Sequence, residues 1–128
     1  MQIAGWRTPI VATILVLLTS APAKSGTDVY GPEFKSCPSG STLQIVDCLN
    51  RYTKAWDKRL NAAYQKLLKD NPQAEQLRSA QRLWLKFRDA NCGYYGSGDG
   101  SIVRIHAAAC LRYMTSQRAR ELEELLTY

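Results

Sequence analysis

Three blocks of apolar residues spaced by threes and fours constrain the fold of this chain more than any other feature of its sequence. This spacing puts the apolar side chains of each block on one face, which predicts amphipathic helices over about 42–70, 72–91 and 102–125. No segment of useful length alternates polar and apolar residues as a half-buried strand does. We therefore predict an all-α fold in which three helices form an antiparallel arrangement with short connections.

The second block has the clearest pattern, and it carries polar residues close to its packing face. We expect the core to be faced by Leu77, Ala80, Trp84, Phe87 and Asn91. The same face is flanked by Gln81, Arg88 and Asp89. Gly93 directly follows the run and can adopt the left-handed conformation that stops a helix, so we predict that the second helix ends there.

Residues with helix-capping character mark the helix starts. Ser41 and Gln44 have the spacing of a capping box before the first helix. Asn71 is a good N-cap and Pro72 suits the first helical position, so this pair is predicted to separate the first two helices. Ser101 is a candidate cap for the third helix.

The N-terminal segment has the layout of an export signal. Residues 1–23 contain Arg7, an apolar run and then Ala21-Pro22-Ala23, which predicts a secretory signal peptide. An uncleaved membrane anchor is the alternative, but the apolar run is shorter than the roughly 20 residues that span a bilayer. The Gly-, Pro- and Ser-rich residues 24–41 predict an extended N-terminal arm, and residues 42–128 form the helical domain.

Four cysteines remain in the predicted exported chain: Cys37, Cys48, Cys92 and Cys110. An even number of cysteines in an oxidising compartment predicts two disulfides, whereas a metal site would need closely spaced cysteine pairs that are absent. Four cysteines allow three pairings. Local pairing, Cys37 with Cys48 and Cys92 with Cys110, is favoured, and each bridge would contribute about 3 kcal/mol. A Cys48–Cys92 link is the alternative.

The charge balance is basic. Removal of the signal peptide takes away Arg7 and no acidic residue, which lowers the formal charge from +6 to about +5. The positive charges are spread through the helices, as on ordinary solvated faces. They could also attract an anionic envelope component. Nucleic acid is disfavoured as a partner because the chain is predicted to be exported and has no recognisable binding module.

Folding back the first two helices about Asn71-Pro72 brings several polar residues together. Asp57 then lies near Arg88, and Asn61 lies near Gln81. We predict an interhelical polar network composed of Asp57, Asn61, Tyr64, Gln81, Trp84 and Arg88. Such a network can simply fix helix register, which is the interpretation we favour. The alternative is a binding cleft.

The segment 93–100 is rich in glycine and is predicted to be a flexible loop. It lacks the Gly-Lys-Ser/Thr ending of a phosphate-binding loop. Candidate partner-binding residues in and just after it are Tyr94, Tyr95, Arg104 and His106. The alternative is that the tyrosines pack on the third helix and that His106 is an ordinary half-buried helix residue.

Several of these residues together resemble the lysozyme inhibitor LprI-like domain family. The resemblance runs from Cys37 to about Leu125 and rests on a set of fragments: Cys48-Leu49-Asn50, Asp57 with Leu60-Asn61 and Tyr64, Gln81 with Trp84-Leu85, Arg88-Asp89 with Cys92, and Cys110-Leu111 with Thr115 and Arg118. It implies a small exported bacterial domain that is helical and disulfide-linked, and for the namesake it implies inhibition of lysozyme.

The resemblance therefore favours a protein partner such as lysozyme or a related peptidoglycan-cleaving enzyme, met in the periplasm or after secretion. The alternative is a periplasmic binding or structural module that holds an anionic envelope component or a partner protein. Contact with a membrane is expected only through the signal peptide before cleavage. An enzyme is disfavoured, because the chain has one histidine and, with its cysteines paired, no activated nucleophile. No cofactor or metal is implied.

Overall fold

The computed structural model describes residues 30–128, so the predicted signal peptide and residues 24–29 lie outside it. Four helices make up this region: α1 (Gly31–Ser36), α2 (Thr42–Leu68), α3 (Ala74–Tyr95) and α4 (Ile102–Leu125). The described residues contain no strand. The predicted all-α fold with three long helices is confirmed.

The three long helices run up, down and up, with α4 as the element that both others pack on. Leu49 of α2 packs beside Ile105 of α4, and Leu60 packs further along beside Leu122, so these two helices run parallel. A disulfide joins Cys92 of α3 to Cys110 of α4, and Gln81 of α3 meets Arg118, so α3 runs antiparallel to α4. Helices α2 and α3 touch only sparsely, which leaves space between them.

The core consists of two apolar clusters along the α2–α4 contact. The first contains Leu49, Ile105, Ala108 and Ala109, with Tyr30 and Phe34 packed against it. The second contains Trp56, Leu60, Ala63, Ala119 and Leu122, with Trp84 packed against it. Alanines on α4 keep the side chains at this contact short, which favours a close helix–helix approach.

The segment predicted as an extended arm contains the six-residue helix α1, which the sequence analysis did not predict. Six residues are too few to show helical periodicity in a sequence. Contacts with α2 and α4 hold the helix in place. The Glu33 carboxylate accepts hydrogen bonds from the indole of Trp56 and the guanidinium of Arg112, and Arg112 also donates to the Tyr30 carbonyl.

Two of the predicted helix ends need correction. Asn71 is not the N-cap of α3: its side chain accepts from the Gln73 amide and donates to the Leu67 carbonyl, and α3 begins at Ala74. Gly93 does not stop α3, which continues to Tyr95. A glycine inside a helix costs only about 1 kcal/mol relative to alanine, and the bond from Cys92 to α4 holds this end of α3 in place.

The other two predicted starts agree with the structure. Ser41 and Gln44 form the predicted capping box at the start of α2. Ser101 precedes α4 as expected, although its side chain makes no capping hydrogen bond.

Both disulfides have the predicted local pairing, Cys37 with Cys48 and Cys92 with Cys110. The first ties the chain after α1 to α2, and the second ties the last turns of α3 to α4. The alternative Cys48–Cys92 link is therefore excluded.

Candidate functional site

Helix α3 is rotated relative to the packing face predicted from its sequence. Leu77 and Trp84 pack against the core as expected. Ala80 and Phe87 instead face solvent, and Phe87 is 61% exposed. Their places towards α4 are taken by Gln81 and Cys92, both buried. The rotation follows from specific bonds, because α4 binds Gln81 through Arg118 and Cys92 through the disulfide.

The rotation leaves an apolar row on the outside of α3. Its members follow one another at spacings of three and four, and we call them the α3 stripe: Ala80, Leu83, Phe87, Ala90 and Tyr94. The three large side chains are mostly exposed. Contiguous exposed apolar surface on a small domain is typical of a protein-interaction site.

The six residues of the predicted polar network are connected differently from the prediction. Asp57 accepts a hydrogen bond from Asn61 at 3.1 Å, and Arg88 donates to Asp89 at 2.8 and 2.9 Å while lying over the Trp84 ring. The expected contact between Asp57 and Arg88 is therefore wrong, because each group has a nearer partner on its own helix.

Gln81 receives its hydrogen bond from α4 rather than α2. The Nε of Arg118 donates to the Gln81 carbonyl oxygen at 3.0 Å. Arg118 was among the residues that carry the family resemblance but was not predicted to join the network. Its spacing to Glu121 indicates an ion pair within α4, and no local pattern indicates its contact with Gln81.

Four of the six predicted residues line a cleft between α2 and α3. Its volume is about 230 Å³, and we call it the α2–α3 cleft. Helix α2 contributes Asp57, Leu60, Asn61 and Tyr64, and α3 contributes Arg78, Gln81, Arg82 and Leu85. The two helices thus stand apart where the sequence predicted a closed network, and an open cleft lies between them.

The candidate partner-binding residues fall into two places. Tyr94 and Tyr95 lie in the last turn of α3, with ring centroids 5.7 Å apart, and Tyr94 is 76% exposed. Arg104 is exposed in the first turn of α4, on the other side of the glycine-rich turn. His106 is half-buried and packs edge-on against Tyr30 at 5.8 Å, so it belongs to the contact between α4 and the N-terminal segment.

The acidic residues near the end of α4 are largely paired with arginines. Glu121 accepts from Arg118, and Glu123 accepts two hydrogen bonds from Arg59 of α2. The Arg59 hydrogen bonds hold the pKa of Glu123 below its usual value, and the same bonds raise the pKa of Arg59. The Arg59–Glu123 pair joins α2 to α4, whereas the Arg118–Glu121 pair lies within α4.

Residues 30–128 contain neither a metal-binding cluster nor a membrane-spanning helix. No group of three or more His, Cys, Asp or Glu side chains there is arranged to hold a metal ion. None of the helices in this region is long and apolar enough to cross a membrane.

Comparison with known proteins gives one family and one relative. A family model described as lysozyme inhibitor LprI matches residues 35–122, which include all of α2 and α3 and most of α4. An uncharacterized protein of Rhizobium meliloti (strain 1021) is 30% identical to the chain over 133 residues, covering 90% of this chain and 92% of that protein. No solved structure matches the chain.

Proposed function

This chain belongs to the lysozyme inhibitor LprI family, and on that premise we propose that it binds and inhibits a lysozyme or a related peptidoglycan-cleaving enzyme. The family match, which spans all of α2 and α3 and most of α4, is the observation that carries the proposal. Two disulfides suit an oxidising compartment, so the proposed place of action is the periplasm or the exterior of the cell.

The α3 stripe supports a protein partner. Aromatic side chains supply much of the binding energy at protein interfaces, and here Phe87 and Tyr94 extend from a helix that a disulfide fixes to its neighbour. A rigid helix loses little conformational entropy on binding, which favours affinity.

The end of the α3–α4 hairpin has the parts that an inhibitor of lysozyme needs. Lysozymes cleave glycan with two carboxylates in a cleft. An inhibitor must fill that cleft and offer hydrogen-bond donors to the carboxylates. Tyr94 and Tyr95 provide apolar surface at the end of α3, and Arg104 provides an exposed charged donor in the first turn of α4, after the glycine-rich turn. We propose these three residues as the enzyme-facing group.

The test is inhibition of a panel of lysozymes by purified, oxidised protein, with peptidoglycan as substrate and salt concentration varied. We expect stoichiometric inhibition that persists in moderate salt, because a packed interface is screened much less than exposed charges. Tyr94→Ala should raise the inhibition constant by about tenfold or more, as loss of a central aromatic anchor does. Tyr128→Ala is the matched control, since Tyr128 is 95% exposed but lies at the C-terminus.

Two results would count against this proposal. Absence of inhibition for every enzyme at every salt concentration would reject the inhibitory function. Inhibition that disappears as salt rises, with Tyr94→Ala and Tyr128→Ala behaving alike, would instead indicate general attraction by the basic surface.

A further inference from the structure

The α2–α3 cleft contains a buried amide group with unused hydrogen-bonding capacity. Gln81 is 6% exposed and lines the cleft. Its carbonyl oxygen accepts from Arg118, but within residues 30–128 its amide nitrogen donates to no protein acceptor. This nitrogen is not fully enclosed by protein and opens to the cleft, where water or a ligand can accept from it. The two N–H groups of Gln81 are therefore available to something that enters the cleft.

Arg118 fixes which end of the amide faces the cleft. Guanidinium groups only donate, so the oxygen of Gln81 must be the atom that meets Arg118. Arg118 is itself held by Glu121, to which it donates at 2.7 Å. Arg118 is thus a positioning residue that keeps the Gln81 nitrogen directed away from α4.

The other side chains of the cleft have a clear polarity. On the α3 side, Arg78 and Arg82 approach only Glu75, at 3.6 and 3.3 Å, in exposed ion pairs that are weak and easily exchanged. On the α2 side, Asp57 is an acceptor and uses one oxygen to bind Asn61. Leu60 and Leu85 add apolar surface. The α3 wall carries donors, the α2 wall carries an acceptor, and apolar side chains add contact surface. This arrangement suits a small molecule with an acceptor at one end and a donor at the other.

We propose that the α2–α3 cleft binds the carboxylate of an acylated amino acid, the group found at the C-terminus of a short peptide. The carboxylate takes hydrogen bonds from Gln81 and the two arginines, and the neighbouring amide N–H of the ligand donates to Asp57. A volume of about 230 Å³ accommodates a group of this size. This site is separate from the enzyme-facing group proposed above and does not depend on inhibition.

The first experiment titrates oxidised, ¹⁵N-labelled protein with N-acetyl-Ala-Ala up to about 10 mM, the range of weak binding. The carboxamide of the same peptide and inorganic phosphate are titrated in parallel. We expect saturable shifts of the Gln81 and Asn61 side-chain amides, which both line the cleft, with the free acid. The affinity for the carboxamide should be lower than that for the free acid by about tenfold or more, because hydrogen bonds to a charged acceptor are stronger than those to a neutral one.

The decisive variant is Gln81→Glu. The new carboxylate still accepts from Arg118, so the fold should be retained, but it presents an oxygen where the ligand needs a donor. Affinity for N-acetyl-Ala-Ala should fall by about tenfold or more. Arg82→Gln should also weaken binding. Arg51→Gln removes the same charge from an exposed ion pair with Asp47 outside the cleft, and it should leave affinity unchanged.

Each of the following outcomes would overturn the proposal. The first is no saturable shift with the free acid. The second is equal binding of the acid and the carboxamide, which would mean that the carboxylate is not recognised. The third is phosphate binding as tightly as the peptide, or unchanged affinity in Gln81→Glu, which would indicate non-specific attraction of anions to surface arginines. Thermal melting of each variant confirms that any loss of binding occurs in folded protein.

Discussion

At the scale of single residues, Glu33 lies in a helix of only six residues but links that helix to both α2 and α4. Its two carboxylate oxygens accept from different helices, at 2.8 Å from Trp56 of α2 and 2.7 Å from Arg112 of α4. The Arg112 side chain is 2% exposed, so its charge is taken out of water in the middle of α4. A buried charge needs a counter-charge, and Glu33 supplies one.

Glu33→Gln should destabilise the protein markedly. The amide retains an acceptor for Trp56 but removes the negative charge facing Arg112, and breaking a buried ion pair from one side costs about 3–5 kcal/mol. We expect a loss near the lower limit, because Arg112 also donates to the Tyr30 carbonyl. The measurement is urea denaturation of the oxidised protein at neutral pH.

Glu75→Gln is the matched control for this change. Glu75 also faces two arginines, but its side chain is 70% exposed, so its removal should cost less than about 1 kcal/mol. If the two variants lose the same stability, the Glu33–Arg112 pair does not stabilise the fold.

At the scale of secondary-structure elements, substitutions at two glycines near the end of α3 test helix propensity and backbone strain separately. Gly93 is in the helix, and a Cβ added there would meet nothing within 4 Å. Gly93→Ala should therefore stabilise the protein by about 0.5–1 kcal/mol, through better helix propensity and a less flexible unfolded chain. The measurement is the shift of the urea midpoint.

Gly100→Ala provides the contrast. A Cβ at Gly100 would also meet nothing within 4 Å, but its φ of +84° is one that alanine rarely adopts. This substitution should destabilise the protein by about 1 kcal/mol. A stabilising effect at both positions would contradict the left-handed backbone at Gly100, and one at neither would contradict the helical position of Gly93.

The two disulfides should differ in accessibility. Cys37 is half-buried and lies next to the exposed Pro38, whereas Cys92 and Cys110 are both buried. Because a thiol must reach a sulfur to reduce the bond, dithiothreitol without denaturant should open Cys37–Cys48 first. Alkylation and mass spectrometry at successive times would show this order, and simultaneous opening of both bonds would mean that reduction requires global unfolding.

The sequence was sufficient to predict those features of the elements that depend on local signals. The capping box at Ser41, the long helices and the local disulfides follow from spacing and residue type. The rotation of α3 does not, because Phe87 and Trp84 are both large and apolar, and only the bonds from α4 to Gln81 and Cys92 decide which faces inward. The α2–α3 cleft was predicted only as the alternative to a closed network, because the separation of α2 and α3 depends on how each packs on α4.

At the scale of the whole molecule, the two apolar clusters lie on the same pair of helices. Arg112, Thr115 and Ser116 of α4 are buried between them and interrupt the apolar surface. A small domain with two clusters could unfold in two steps. However, α2 and α4 each pass through both clusters as a continuous helix, so loss of either cluster leaves the other with frayed helices. We therefore expect a single cooperative transition.

Leu49→Ala and Leu122→Ala test this cooperativity, since both leucines are fully buried and each belongs to a different cluster. Each change should cost about 3 kcal/mol, and the double variant should lose the sum within about 0.5 kcal/mol, because the sites are far apart. Trp56 and Trp84 lie at the second cluster, so fluorescence reports on that region, while circular dichroism reports on all helices. For a cooperative domain, Leu49→Ala should shift both transitions equally. If it shifts the circular dichroism transition alone, the two clusters unfold separately.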